Sequence, residues 1–84
     1  MEQATAEANT QTLSFGQKAV GISFNPGGSP IVNAIKERAA HYIDLLNEAR
    51  NATDNPEVKR QLSIAITEAQ TSQMWGVKAV TWQY

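Results

Sequence analysis

Apolar residues at Val32, Ile35, Ala39, Tyr42, Leu46 and Ala49 recur at alternating spacings of three and four. That spacing keeps them on one side of a 3.6-residue helix and predicts a helix with a heptad-like seam. Ser29-Pro30 opens it well: a hydroxyl N-cap is followed by a proline whose missing N–H costs nothing in the first turn. A break, NATDNPE (51–57), follows. In it Asp54 or Asn55 can cap, Pro56 takes the first helical position, and Glu57 suits the positive end of a helix. A second seam then runs through Val58, Leu62, Ala65, Ala69, Ser72 and Gly76. Its later members are small, so two helices can approach closely there. VKAVTWQY alternates as a strand would, but it continues the helical pattern, so the helix is extended to about Val80. Helices over about 30–52 and 56–80, joined by so short a link, predict an all-α antiparallel hairpin.

The flanking sequence is less regular. Residues 1–14, MEQATAEANTQTLS, are polar and poor in large apolar groups. They read as an N-terminal arm, mobile or partly helical, that orders only against a partner subunit. The hairpin domain is placed at 15–84. Its first part, FGQKAVGISFNPGGS (15–29), holds four glycines with apolar residues between them. This predicts an irregular path pinned to a surface.

The second helix has two working faces. Opposite its seam lie Arg60, Thr67, Thr71 and Lys78, flanked by Ile64, Met74 and Trp75. A solvated back face is normally charged and mixed in sign, whereas this group holds apolar residues, hydroxyls and two cations, and no carboxylate. An isolated hairpin cannot cover such a face. Two compatible readings follow: another subunit covers it, or the covered surface also lines a pocket for an anionic ligand.

Bulk composition narrows the classes. With 84 residues the chain is one domain at most, and a chain this short usually needs disulfides, metal or assembly for stability. Cysteine is absent, so self-association is the expected source, giving a homo-oligomeric helical bundle. A net charge of −1 with 18 % charged residues leaves no basic surface for duplex nucleic acid. No apolar run reaches the roughly 18 residues of a membrane span, and no signal segment is read at the start.

Several chemistries can be discounted. Glu37, His41, Asp44 and Glu48 share a helix face, but bundle metal sites draw Glu-x-x-His pairs from several helices. The face is read as solvated and acidic, with no metal and no cofactor. His41 is the single histidine and no cysteine nucleophile exists, so enzymatic activity is not expected. NPGG lacks both dedicated nucleotide-loop patterns. Its glycines can still turn backbone N–H groups toward a ligand beside the start of the Ser29 helix. Lys36 leans back toward Phe24, and an aromatic beside a cation suits a base next to a phosphate. The alternative is that Phe24 packs as a plug under the loop.

FNPGG with V..IK and ID after it, followed by NPEVKRQLSIAITEAQTSQMWGVKAVTW, resembles the small phage proteins that sequester cyclic oligonucleotide signals. Those proteins disarm the CBASS antiphage defence and share a helical hairpin with phage sponges directed at the Thoeris defence. The resemblance covers roughly residues 15–82 and is most specific in AITEAQTSQMWGVKA. The family more often has serine where this chain has Gly27, which removes one possible ligand hydrogen bond. The resemblance implies a homo-oligomer of hairpins, typically a hexamer, acting in the host cell cytoplasm. It implies inter-subunit pockets for cyclic dinucleotides and a separate threefold pocket for cyclic trinucleotides, with binding and no cleavage. Carried over, base stacking falls on Phe24 and the phosphate contact on Lys36, with Arg38 second. A cationic contact from the second helix falls on Arg60 or Lys78. With Asn25, Gly28, Thr67 and Thr71, these form the candidate ligand-binding set. A twofold ligand suits a twofold interface that offers each group twice. The competing reading is a structural or adaptor oligomer with no small ligand; a nucleic-acid binder is weakened by the net charge.

Overall fold

A computed structural model describes residues 12–84. Most of the expected N-terminal arm, 1–11, lies outside the described residues. Three helices follow in order: α1 (Phe15–Ala19), α2 (Pro30–Asn51) and α3 (Pro56–Val80). Among the described residues there is no strand. The long helices match the expected spans to within a residue, and their starts have the expected chemistry. The Ser29 hydroxyl accepts from the Val32 N–H. Of the two candidate caps for α3, Asn55 is the one used; its side chain accepts from Glu57 and Val58. Arg50 donates to the Ser63 hydroxyl beside the turn, while Ile35 lies against Gly76 at the far end, so α2 and α3 run antiparallel.

α1 was not expected: residues 15–19 form a helix where an irregular path was read. Its start is a capping box, with Ser14 and Gln17 satisfying each other's backbone N–H. Its end has the two hydrogen bonds of a Schellman motif, Ile22 N–H to the Gln17 carbonyl and Gly21 N–H to the Lys18 carbonyl. Gly21 sits at φ 61, the left-handed conformation this ending needs. The expectation that the segment is pinned to a surface holds. Gly16 is buried against α2, and its N–H donates to Asp44 Oδ1 at 2.6 Å. Gln70 of α3 reaches the Ala19 carbonyl.

This third element rotates the core away from the predicted seams. Val20 of the α1 segment closes over Ala40 and Ile43 of α2 and Ile66 and Ala69 of α3, with Ile22, Ala39 and Leu46 packed around them. On α2 the buried line is Val32, Lys36, Ala40 and Ile43. That line lies about 85° round the helix from the predicted seam, at about 100° per residue. On α3 it is Ile66, Ala69 and Gln73, turned by about 50° in the same sense. Of the predicted seam residues, Tyr42, Ala49, Val58 and Ser72 are exposed. The reason is geometric: two helices alone bury only a line, and α1 covers one side of that line. The predicted seam falls largely on the other side, which stays open.

Candidate functional site

The loop from Gly21 to Ser29 is held by three kinds of bond. Asn25 exchanges two hydrogen bonds with Ser29, its amide to the Ser29 carbonyl and the Ser29 N–H to its Oδ1. Gly28, at φ 64, closes the turn by donating to the Asn25 carbonyl. Lys36 reaches back one helix turn and more, donating to the carbonyls of Gly21 (3.0 Å) and Phe24 (2.5 Å). Only 6 % of Lys36 is exposed. Its ammonium also lies 5.5 Å from the centre of the Phe24 ring. Phe24 and Lys36 are therefore brought together as the sequence suggested, although Lys36 is engaged by the loop it supports. Phe24 itself is exposed and does not plug the loop. A Cβ at Gly27 would meet nothing within 4 Å, so a serine there would fit the same turn.

The back face of α3 is solvent-facing in the single chain, as expected. Arg60, Thr67, Thr71 and Lys78 are all exposed, together with Ile64, Met74 and Trp75. It is not free of carboxylates, however. Arg60 makes a two-pronged contact with Glu57, at 2.9 and 2.6 Å. That contact, then Gln61, holds the Glu57 carboxyl below its usual 4.5. Glu68 joins Arg60, Ser63, Ile64 and Thr67 around one shallow hollow. The Thr71 hydroxyl bonds back to the Thr67 carbonyl within the helix. Lys78 lies between two indoles, 5.0 Å from Trp75 and 5.7 Å from Trp82, with no carboxylate near it among the described residues. The structure thus keeps the loop set (Phe24, Asn25, Gly28, Lys36) apart from the α3 set in sequence and in contact.

Two residues have roles that the sequence pattern does not show. Asp44, placed on a solvated acidic face, instead fixes α1 through Gly16. Arg50 ties the hairpin together through Asn47 and Ser63 and stacks 5.5 Å over Phe15. Both roles depend on contacts distant in sequence, for which periodicity carries no signal.

The open side of the α2/α3 seam is a groove of about 480 Å³, lined mainly by Ile31, Ile35, Arg38, Tyr42, Gln73 and Gly76. Gln73 is 8 % exposed, and its side-chain carbonyl oxygen has no hydrogen-bond partner. These elements define a small all-α hairpin with a lysine-stapled aromatic loop and uncovered apolar faces. Residues 17–81 match the family model described as Acb2/Tad1, hairpin domain. The chain belongs to that family, the anti-CBASS and anti-Thoeris sponges, whose members bind cyclic oligonucleotides. Searches of curated proteins and of solved structures give no match. Among the described residues no helix is long and apolar enough to cross a membrane.

Proposed function

We propose that this protein is a phage-encoded sponge that binds cyclic dinucleotides, and cyclic trinucleotides as a second class, and withholds them from CBASS effectors in the host cell cytoplasm. The observation that carries this reading is the family match over nearly all of the described hairpin. Binding is by a homo-oligomer, a hexamer by family resemblance. Exposed Leu45 on α2 and Ile64, Met74 and Trp75 on α3 favour assembly, because one chain leaves them uncovered. The chain has a net charge of −1, so a polyanion is held by a few cations converging locally, in partly desolvated pockets where charge-assisted bonds are strong. The ligand is sequestered and not cleaved.

Calorimetric titration of the purified protein with a panel of cyclic di- and trinucleotides tests this. The expected result is heat with at least one member at micromolar protein, and recovery of that ligand intact after denaturation. Absence of heat with every member removes the sponge reading and leaves the structural or adaptor oligomer, which the same uncovered faces would serve. Linear products in the recovered ligand would mean a phosphodiesterase.

A further inference from the structure

Four of the chain's cations are engaged internally: Lys36 by loop carbonyls, Arg50 by Ser63 and Asn47, Lys59 by the Arg50 carbonyl, and Arg60 by Glu57. Lys78 is held between two indoles in the last turn of α3, where the helix dipole opposes an anion. Arg38 is different. It stands in the middle of α2 with no hydrogen bond or ion pair among the described residues, on the wall of the open α2/α3 groove. Tyr42, one turn on, is 53 % exposed and lines the same groove. Both residues also line an adjoining hollow with Glu37, His41 and Leu45, so the pair sits on the ridge between the two.

The opposite wall supplies the second element. Gln73 is more than nine-tenths buried and its carbonyl oxygen is orphaned, which is costly for a polar atom in a largely apolar wall. Gln73 lines the groove while its carbonyl oxygen is closed off from solvent, so the amide reaches a ligand by turning about its last torsion, which is broad for an sp³–sp² bond. Gly76 keeps the groove floor low, with Ile35 the nearest side chain to the position of an added Cβ, at 3.7 Å. A groove of about 480 Å³ falls within the range of small-molecule sites, roughly 300–1,000 Å³, which are mostly apolar with a few placed polar groups.

We propose that this groove is a nucleotide-binding site. Arg38 takes a phosphate, the Tyr42 ring stacks on a base, and the Gln73 amide pairs with that base's edge. The proposal rests on the cyclic-oligonucleotide reading above and assigns it residues outside the FNPGG loop. It also gives the unpaired amide a purpose: a base edge supplies the partner that the free chain does not.

The test is calorimetric titration of wild type, Arg38→Glu, Tyr42→Ala and Gln73→Leu with the same cyclic oligonucleotide panel, with native mass spectrometry of each. Arg38→Glu and Tyr42→Ala are expected to weaken binding about tenfold or more, as loss of a charged contact or a stacking face does. Gln73→Leu is expected to reduce the preference between adenine- and guanine-containing members while raising the melting temperature, since it removes an orphaned polar group. All assembly masses stay at the wild-type value. If the variants bind like wild type, the groove is not the site, and sequestration elsewhere still stands. If they change the assembly mass, a second copy of the chain fills the groove and the proposal is overturned. If wild type binds no member, the sponge reading falls and this proposal with it.

Discussion

Gly16 is where the fold has least room to yield. An added Cβ would fall inside the van der Waals envelope of the Ala40 carbonyl oxygen, 2.8 Å from the Ala40 carbonyl carbon and 2.9 Å from Asp44 Oδ1. The first two atoms are α2 backbone and cannot move aside, so α1 must lift. Overpacking of this kind costs about 1–3 kcal/mol. Lifting also stretches the 2.6 Å bond from the Gly16 N–H to Asp44, and a hydrogen bond to a charged group is worth about 1.5–3 kcal/mol. Against this, alanine in a helix is favoured over glycine by about 0.5–1 kcal/mol. The loss wins, and Gly16→Ala is expected to destabilise the chain by about 2–4 kcal/mol. Urea denaturation at one fixed protein concentration measures it, because assembly makes stability concentration-dependent. Asp44→Ala should cost less on the Gly16→Ala background than alone, since the bond is already lost. A Gly16→Ala protein as stable as wild type, or more so, would refute the close docking of α1.

Lys36→Met removes two hydrogen bonds and leaves the Gly21 and Phe24 carbonyls without their partner. It is expected to cost about 2–3 kcal/mol and to raise amide hydrogen exchange in residues 21–29 more than in α3, whatever its effect on ligand. Glu57 should titrate below 4.5, because its contact with Arg60 favours the charged form. The stabilisation it gives is present above the unfolded-state value and lost as pH falls through the folded one. Carbon-detected NMR titration reads this, and Arg60→Ala should return Glu57 toward its usual value. The pair is exposed, so added salt should shrink the shift.

How far the sequence reveals this protein depends on the range of the interaction concerned. Ser29-Pro30 and Asn55-Pro56 declare both long helices, because caps and N1 prolines act within a turn of their own position. The hairpin follows from the short link between them. α1 had an equally local signature, Ser14 with Gln17 and then Gly21, but the density of glycines from 16 to 28 masks it. The orientation of the core was not legible, since apolar residues occupy two faces of α2. Which face turns inward is settled by Val20 and Gly16 docking from outside the periodic pattern. Lys36 shows the same limit at the candidate site. Its closeness to Phe24 follows from the backward lean of helical side chains, whereas its engagement by two loop carbonyls depends on a backbone path that no spacing encodes. The Arg60 face reads as carboxylate-free in the sequence because Glu57, one turn before it, fits the helix start, whereas the two side chains pair across that turn.

The central claim is that this chain assembles and withholds intact cyclic oligonucleotides. Native mass spectrometry of the wild-type protein, with and without the cyclic di- and trinucleotide panel, tests it most directly. One discrete homo-oligomer, a hexamer, is expected to gain a fixed number of ligands, each at the mass of the uncleaved ring. A monomer that carries no ligand with any member of the panel would contradict it.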